Sequence, residues 1–100
     1  MKRVIFTHAA RQDLIDIWLY IVENNSEAVG DRIYDHIADS CRRLTEYPEL
    51  GRSRPEIADD ARSLLVERWL ILYRLFEKNI QVVRVIDGAR DLKRIDWIIE

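Results

Sequence analysis

Arg90 stands in Val85-Ile86-Asp87-Gly88-Ala89-Arg90-Asp91, where an apolar run breaks into alternating charges. A guanidinium at such a place has two uses. It recognises a carboxylate or phosphate through paired N–H bonds, or it bonds Asp87, Asp91 or a carbonyl and pins the end of a sheet. Arg74 and Arg84 pose the same choice, because each interrupts an apolar run, and Lys93-Arg94 adds charge just beyond. Other chemistry is thinly supplied. His8 and His36 have no metal-like spacing with each other or with carboxylates, and Cys41 is the sole cysteine. A single cysteine forms neither an internal disulfide nor a Cys-based zinc site, and in a helix seam it is expected to be a small inert hydrophobe. No metal and no cofactor are expected.

The elements that position these residues follow from pattern. One hundred residues, 48% of them hydrophobic with three Gly and two Pro, form one domain spanning 1–100. No apolar run reaches the roughly 18–20 residues needed to span a bilayer, and the basic start lacks an apolar signal region, so the cytoplasm is the expected compartment. The formal charge is −2: residues 1–60 hold 8 Lys/Arg against 12 Asp/Glu, and residues 61–100 hold 8 against 6. That is too little positive charge for a general nucleic-acid binder, and the mild asymmetry suits a protein partner.

Val4-Ile5-Phe6 reads as a short strand, with Thr7 as N-cap of a helix over about 8–23 whose stripe is Leu14, Ile17, Trp18 and Ile21. Asn24-Asn25 turns the chain, and Ser26 caps a second helix with its stripe at Ile33, Ile37, Cys41 and Leu44, ending at Tyr47 before Pro48. Trp18 is expected in the core. A link this short makes an antiparallel αα-hairpin. A long loop covers 48–61. Runs at 62–67, 69–77 and 79–87 then read as strands, separated by Glu67-Arg68 and Lys78-Asn79, hence a meander. The middle run is apolar on both faces. One face takes the helices, and the other is expected to meet a partner. The expected fold is α+β: an αα-hairpin on an antiparallel sheet of four strands, residues 3–6 at its edge. In one register of the hairpin around Lys78-Asn79, Arg74 and Arg84 project as neighbours from one face; a shift of one residue separates them.

The order "AARQDLIDIWLYI", "LTEYPELGRSRPEI", "RSLLVERWLILYRL" and "VVRVIDGARD" covers most of the chain and resembles the ParE toxins of the RelE/ParE superfamily. The resemblance implies a RelE/ParE-like fold and a bacterial toxin held silent by a ParD-like antitoxin whose own N-terminal domain binds DNA. The complex is then a toxin–antitoxin hetero-oligomer, with DNA reached only through the antitoxin. ParE-type members poison DNA gyrase; RelE-type members cleave mRNA at the ribosome. A shared fold does not decide between them.

A metal-independent ribonuclease activates a 2′-hydroxyl, stabilises a phosphorane and protonates a leaving oxygen, which requires clustered Lys/Arg and an acid/base. By alignment with RelE-type chains, Ser63, Leu65 and Leu70 occupy the basic positions and Trp97 stands near a tyrosine position. The parts are missing, and a binding toxin acting on gyrase is the expectation. The alternatives are a RelE-like endonuclease and a non-toxic co-repressor module. Arg90 matches an arginine kept in both types, with pinning the expected role ahead of target contact. The candidate antitoxin-binding residues are Trp69 and Tyr73, which share a strand face by parity and are expected to be core or antitoxin-covered, and Arg74 and Arg84, for which a solvated edge or an internal ion pair is the alternative. The candidate target-binding residues are Arg90, Lys93, Arg94 and Trp97.

Overall fold

A computed structural model describes residues 2–90 together with 92, 95 and 97. The chain forms β1 (Val4–Phe6), α1 (His8–Asn24), α2 (Glu27–Arg43), β2 (Arg52–Ser53), β3 (Arg62–Val66), β4 (Trp69–Phe76) and β5 (Asn79–Asp87). The five strands lie in the order β1-β5-β4-β3-β2, with β1 parallel to β5 and the other neighbours antiparallel. The sheet is therefore mixed and has five strands, where four antiparallel ones were expected. The helical hairpin brings the chain back so that β5, the last pass of the meander, runs alongside β1 in the same sense. The added strand, β2, is two residues recruited from the long loop.

Thr7 forms the corner between β1 and α1. Its Oγ1 accepts the Ala10 N–H at 3.1 Å, capping the helix, and donates to the Val83 carbonyl at 2.8 Å. One buried hydroxyl thus starts the helix and docks it on β5. Ser26 caps α2 in the same way through Val29 N–H. The helices meet where Gly30 leaves no side chain: a Cβ there would stand 3.1 Å from Val22 Cγ2 and 3.2 Å from the Trp18 ring. Trp18 is half-buried at this seam and not in the core, and its Nε1 donates to Asp31 Oδ1 at 2.9 Å. α2 ends at Arg43, earlier than expected; residues 44–47 continue as hydrogen-bonded turns, with Tyr47 N–H on the Arg43 carbonyl.

The main core lies between the helices and one sheet face, built from Ile17, Ile21, Ile33, Ile37, Cys41 and Leu44 against Trp69, Ile71, Tyr73, Ile80, Val82 and Val85. The opposite face does not wait for a partner. Leu70, Leu72 and Ile86 are packed by Ile57 of the long loop and by Leu92, Ile95 and Trp97 of the C-terminal region. From Trp69 to Tyr73 the doubly apolar β4 is buried by its own chain on both sides. No helix among the described residues is long and apolar enough to cross a membrane.

Both hairpin turns are made without glycine. Glu67 has φ 56° in the β3–β4 turn, and Glu77 and Lys78 have φ 50° and 67° in the β4–β5 turn. Two positive φ values in a two-residue loop give a type I′ turn, which normally uses Asn or Gly. Left-handed backbone costs an L side chain about 1–2 kcal/mol. Lys78→Gly is expected to stabilise the fold by about 1 kcal/mol net of the extra freedom gained by the unfolded chain, read as a higher urea midpoint with an unchanged m-value.

Candidate functional site

The four sheet residues proposed to meet an antitoxin all make contacts within the fold. Trp69 and Tyr73 project under the helices, and Tyr73 is completely buried. The Tyr73 hydroxyl donates to the Pro48 carbonyl at 2.7 Å and accepts Gly51 N–H at 2.9 Å. Gly51 is obligatory there, since a Cβ would fall 2.6 Å from both the Ser63 carbonyl oxygen and the Tyr73 ring. Burial pushes the Tyr73 hydroxyl above its ordinary pKa, so it remains a neutral donor. "YPELGR" is therefore a loop tied to a strand by one phenol.

Neither simple register holds for Arg74 and Arg84. Leu72 pairs with Arg84 but Tyr73 pairs with Val82, so a bulge shifts the ladder by one residue between them. Arg84 reaches α1, where its Nε and NH2 bond Asp13 Oδ2 and Oδ1 at 2.7 and 3.0 Å. The Val85 N–H, beyond the end of β1, donates to the same carboxylate at 2.9 Å. The two side chains are 22% and 15% exposed, so this bidentate pair is largely withdrawn from water. Arg74 turns to Gln81 at 2.7 Å and Asp60 at 3.2 Å, with its guanidinium 4.2 Å from the Phe76 ring centroid.

Arg90 does not pin the sheet through Asp87, because Arg68 does. Arg68 is ion-paired with Asp87 and lies over the rings of Trp69 and Tyr20 at 4.9 and 5.7 Å. The Arg68 hydrogen bond, with Ala89 N–H, holds the Asp87 carboxyl below the usual carboxylate range. Asp87 thereby shapes the turn: its Oδ1 accepts Ala89 N–H, and its carbonyl accepts Arg90 N–H. The Arg90 side chain is exposed, with no hydrogen bond or ion pair to another described residue. Trp97 packs on the second sheet face. Lys93 and Arg94 lie outside the described residues.

Sequence reading missed an apolar groove along the helical hairpin. Val4, Phe6, Leu14, Tyr34, Ile37, Ala38, Cys41 and Arg42 line a cavity of about 200 Å³, which continues past Ile15 and Trp18 to Asp31. Ile15 and Tyr34 on its rim are 53% and 47% exposed. The signal was legible: α1 is apolar on two faces, with Ile15 and Leu19 off the core stripe. Cys41 at its floor is no nucleophile, since burial raises its thiol to about 12.

A family model described as the ParE toxin of the type II toxin–antitoxin system parDE matches residues 4–92. Toxin ParE3 of Caulobacter vibrioides (strain ATCC 19089 / CIP 103742 / CB 15) is 33% identical over 92 residues, 92% of each chain. A solved structure described as the chromosomal ParDE TA system from P. aeruginosa has the same fold, with a TM-score of 0.76 at 22% identity over 87% of this chain and 96% of that one.

Two outcomes follow for stability. Asp13→Ala removes the bidentate partner of the largely buried Arg84 and the acceptor of Val85 N–H, and is expected to cost about 3 kcal/mol in urea unfolding. Asp87 and Glu67, the latter held down by the His36 and Arg32 hydrogen bonds, both have lowered pKa values. Their contribution is complete above the unfolded carboxylate pKa, about 4, and is lost as pH falls below it. The melting temperature should drop on acidification below about pH 4, and less steeply in Asp87→Asn.

Proposed function

The chain belongs to the ParE toxin family of type II toxin–antitoxin systems, and from that premise we propose that it blocks replication by binding DNA gyrase, without catalysis of its own, until a ParD-like antitoxin covers it. The observation that supports binding over RNA cleavage is the second sheet face. Where a RelE-type nuclease needs charged groups, Leu70 is packed beneath apolar residues, Ser63 is buried and bonded by Arg54 Nε at 2.7 Å, and Leu65 is an exposed hydrocarbon. None of these protonates a leaving oxygen or stabilises a phosphorane. His36 is engaged by Glu67 on the helix side, 3.0 Å away.

The antitoxin contact is proposed for the groove between α1, α2 and β1. Its apolar floor and the exposed Ile15 and Tyr34 suit an amphipathic helix laid along it. Trp69, Tyr73 and Arg84 support this surface from within the fold. Arg74, beside exposed Phe76 on the opposite sheet face, is a second place for an antitoxin carboxylate.

Pulse labelling after induction of the toxin alone tests the target. Thymidine incorporation is expected to fall first, and the purified chain is expected to inhibit gyrase supercoiling. An earlier fall in amino-acid incorporation overturns the gyrase assignment. For the groove, Tyr34→Ala is expected to weaken antitoxin binding by about 2 kcal/mol, measured by calorimetry, with an unchanged melting temperature.

A further inference from the structure

β3 has an outer edge that β2 covers only in part. β2 pairs Arg52 with Ser63 and Ser53 with Arg62, and no described strand reaches Leu64–Val66. In the two-residue β3–β4 hairpin Val66 bonds Trp69, so alternate residues face outward. The backbone N–H and C=O of Leu65 therefore point away from β4, as those of Ser63 do toward Arg52. The Leu65 side chain is 61% exposed. It lies beside Gly88, where a Cβ would come 3.3 Å from Leu65 Cδ1 and 3.1 Å from the Arg68 carbonyl oxygen. Two residues on, the turn organised by Asp87 presents Arg90 to solvent.

We propose that the Leu65 edge and Arg90 together form the surface through which the toxin engages its target, and that the occupant is an extended protein segment carrying an acidic side chain next to an apolar one. The proposal rests on the toxin reading above. The strand edge supplies main-chain pairing, Leu65 supplies an apolar contact, and Arg90 supplies a bidentate site for a carboxylate. Charge and hydrocarbon side by side select a protein segment over a phosphate backbone, because the neighbouring guanidinium of Arg68 is already committed to Asp87. Arg68 and Asp87 are positioning residues: they hold the turn from which Arg90 projects.

The test compares wild type with Leu65→Ser, Arg90→Ala and Arg90→Lys, measuring viable counts after induction in a bacterial host, inhibition of purified gyrase, and melting by circular dichroism. Leu65→Ser and Arg90→Ala are each expected to raise survival by about tenfold or more, with Arg90→Lys intermediate and all melting temperatures close to wild type. Leu65 is on the surface, so its replacement tests the contact without testing the core. Unchanged killing by both variants overturns the proposal, whatever the gyrase assay reports. Lost killing with a wild type that leaves gyrase untouched keeps the surface and removes gyrase as the target. A wild type that does not kill removes both. A change in sedimentation on Leu65→Ser, with killing retained, assigns the edge to self-association and also overturns the proposal.

Discussion

The Asp13 carboxylate is the joint on which the two layers depend. β1 stops at Phe6, and from Val83 onward the edge of β5 needs another source of hydrogen bonds. Thr7 supplies one and Asp13 the next, through Val85 N–H, while Asp13 also takes the Arg84 guanidinium that the bulge delivers. A helix side chain completes a strand edge, and in doing so fixes where α1 lies along the sheet. Everything on the helical side inherits that position. Gly30 and Trp18 set α2 against α1, and Arg32 and His36 carry α2 to Glu67 at the β3–β4 turn.

Tyr73 plays the corresponding part at the other end of α2. Its hydroxyl gathers Pro48 and Gly51, and the Arg62 guanidinium bonds the Gly51 carbonyl at 2.7 Å. The chain leaving α2 is thereby returned to the sheet as β2. Buried polar groups are used as fasteners in both places, and each is satisfied; among the described residues no buried side-chain nitrogen or oxygen lacks a partner.

Much of this fold was legible in the sequence. Helix caps, the αα-hairpin and all three strands of the meander follow from period and punctuation, and the family resemblance rests on the residues that form them. The parallel sense of β1 was not legible, because it is fixed by pairing between distant segments and not by local pattern. The bulge at Leu72/Tyr73 was likewise invisible, and it moved Arg74 and Arg84 away from one another. Arg90 shows the limit most clearly. Asp87, three residues away, was one of the partners expected for it, beside Asp91 and a carbonyl, yet Arg68 reaches that carboxylate across the hairpin with two aromatic rings to hold it. Between core and antitoxin-covered positions for Trp69 and Tyr73, parity put them on one face without saying which face the helices would occupy, and they lie in the core.

The pairing of the first strand with the last has a consequence for the birth of the chain. Arg3 N–H bonds Asn79 Oδ1 and Thr7 bonds Val83, contacts separated by 76 residues. The Asp13 joint closes only with the same strand. A ribosome that has made the helices and the first hairpin has not yet made β5, the strand that joins β1 to β4. Long-range closure of this kind is delayed until β5 has been synthesised. The β1 edge and the Asp13 joint therefore stay open through most of synthesis, and the two layers lock together in one late step.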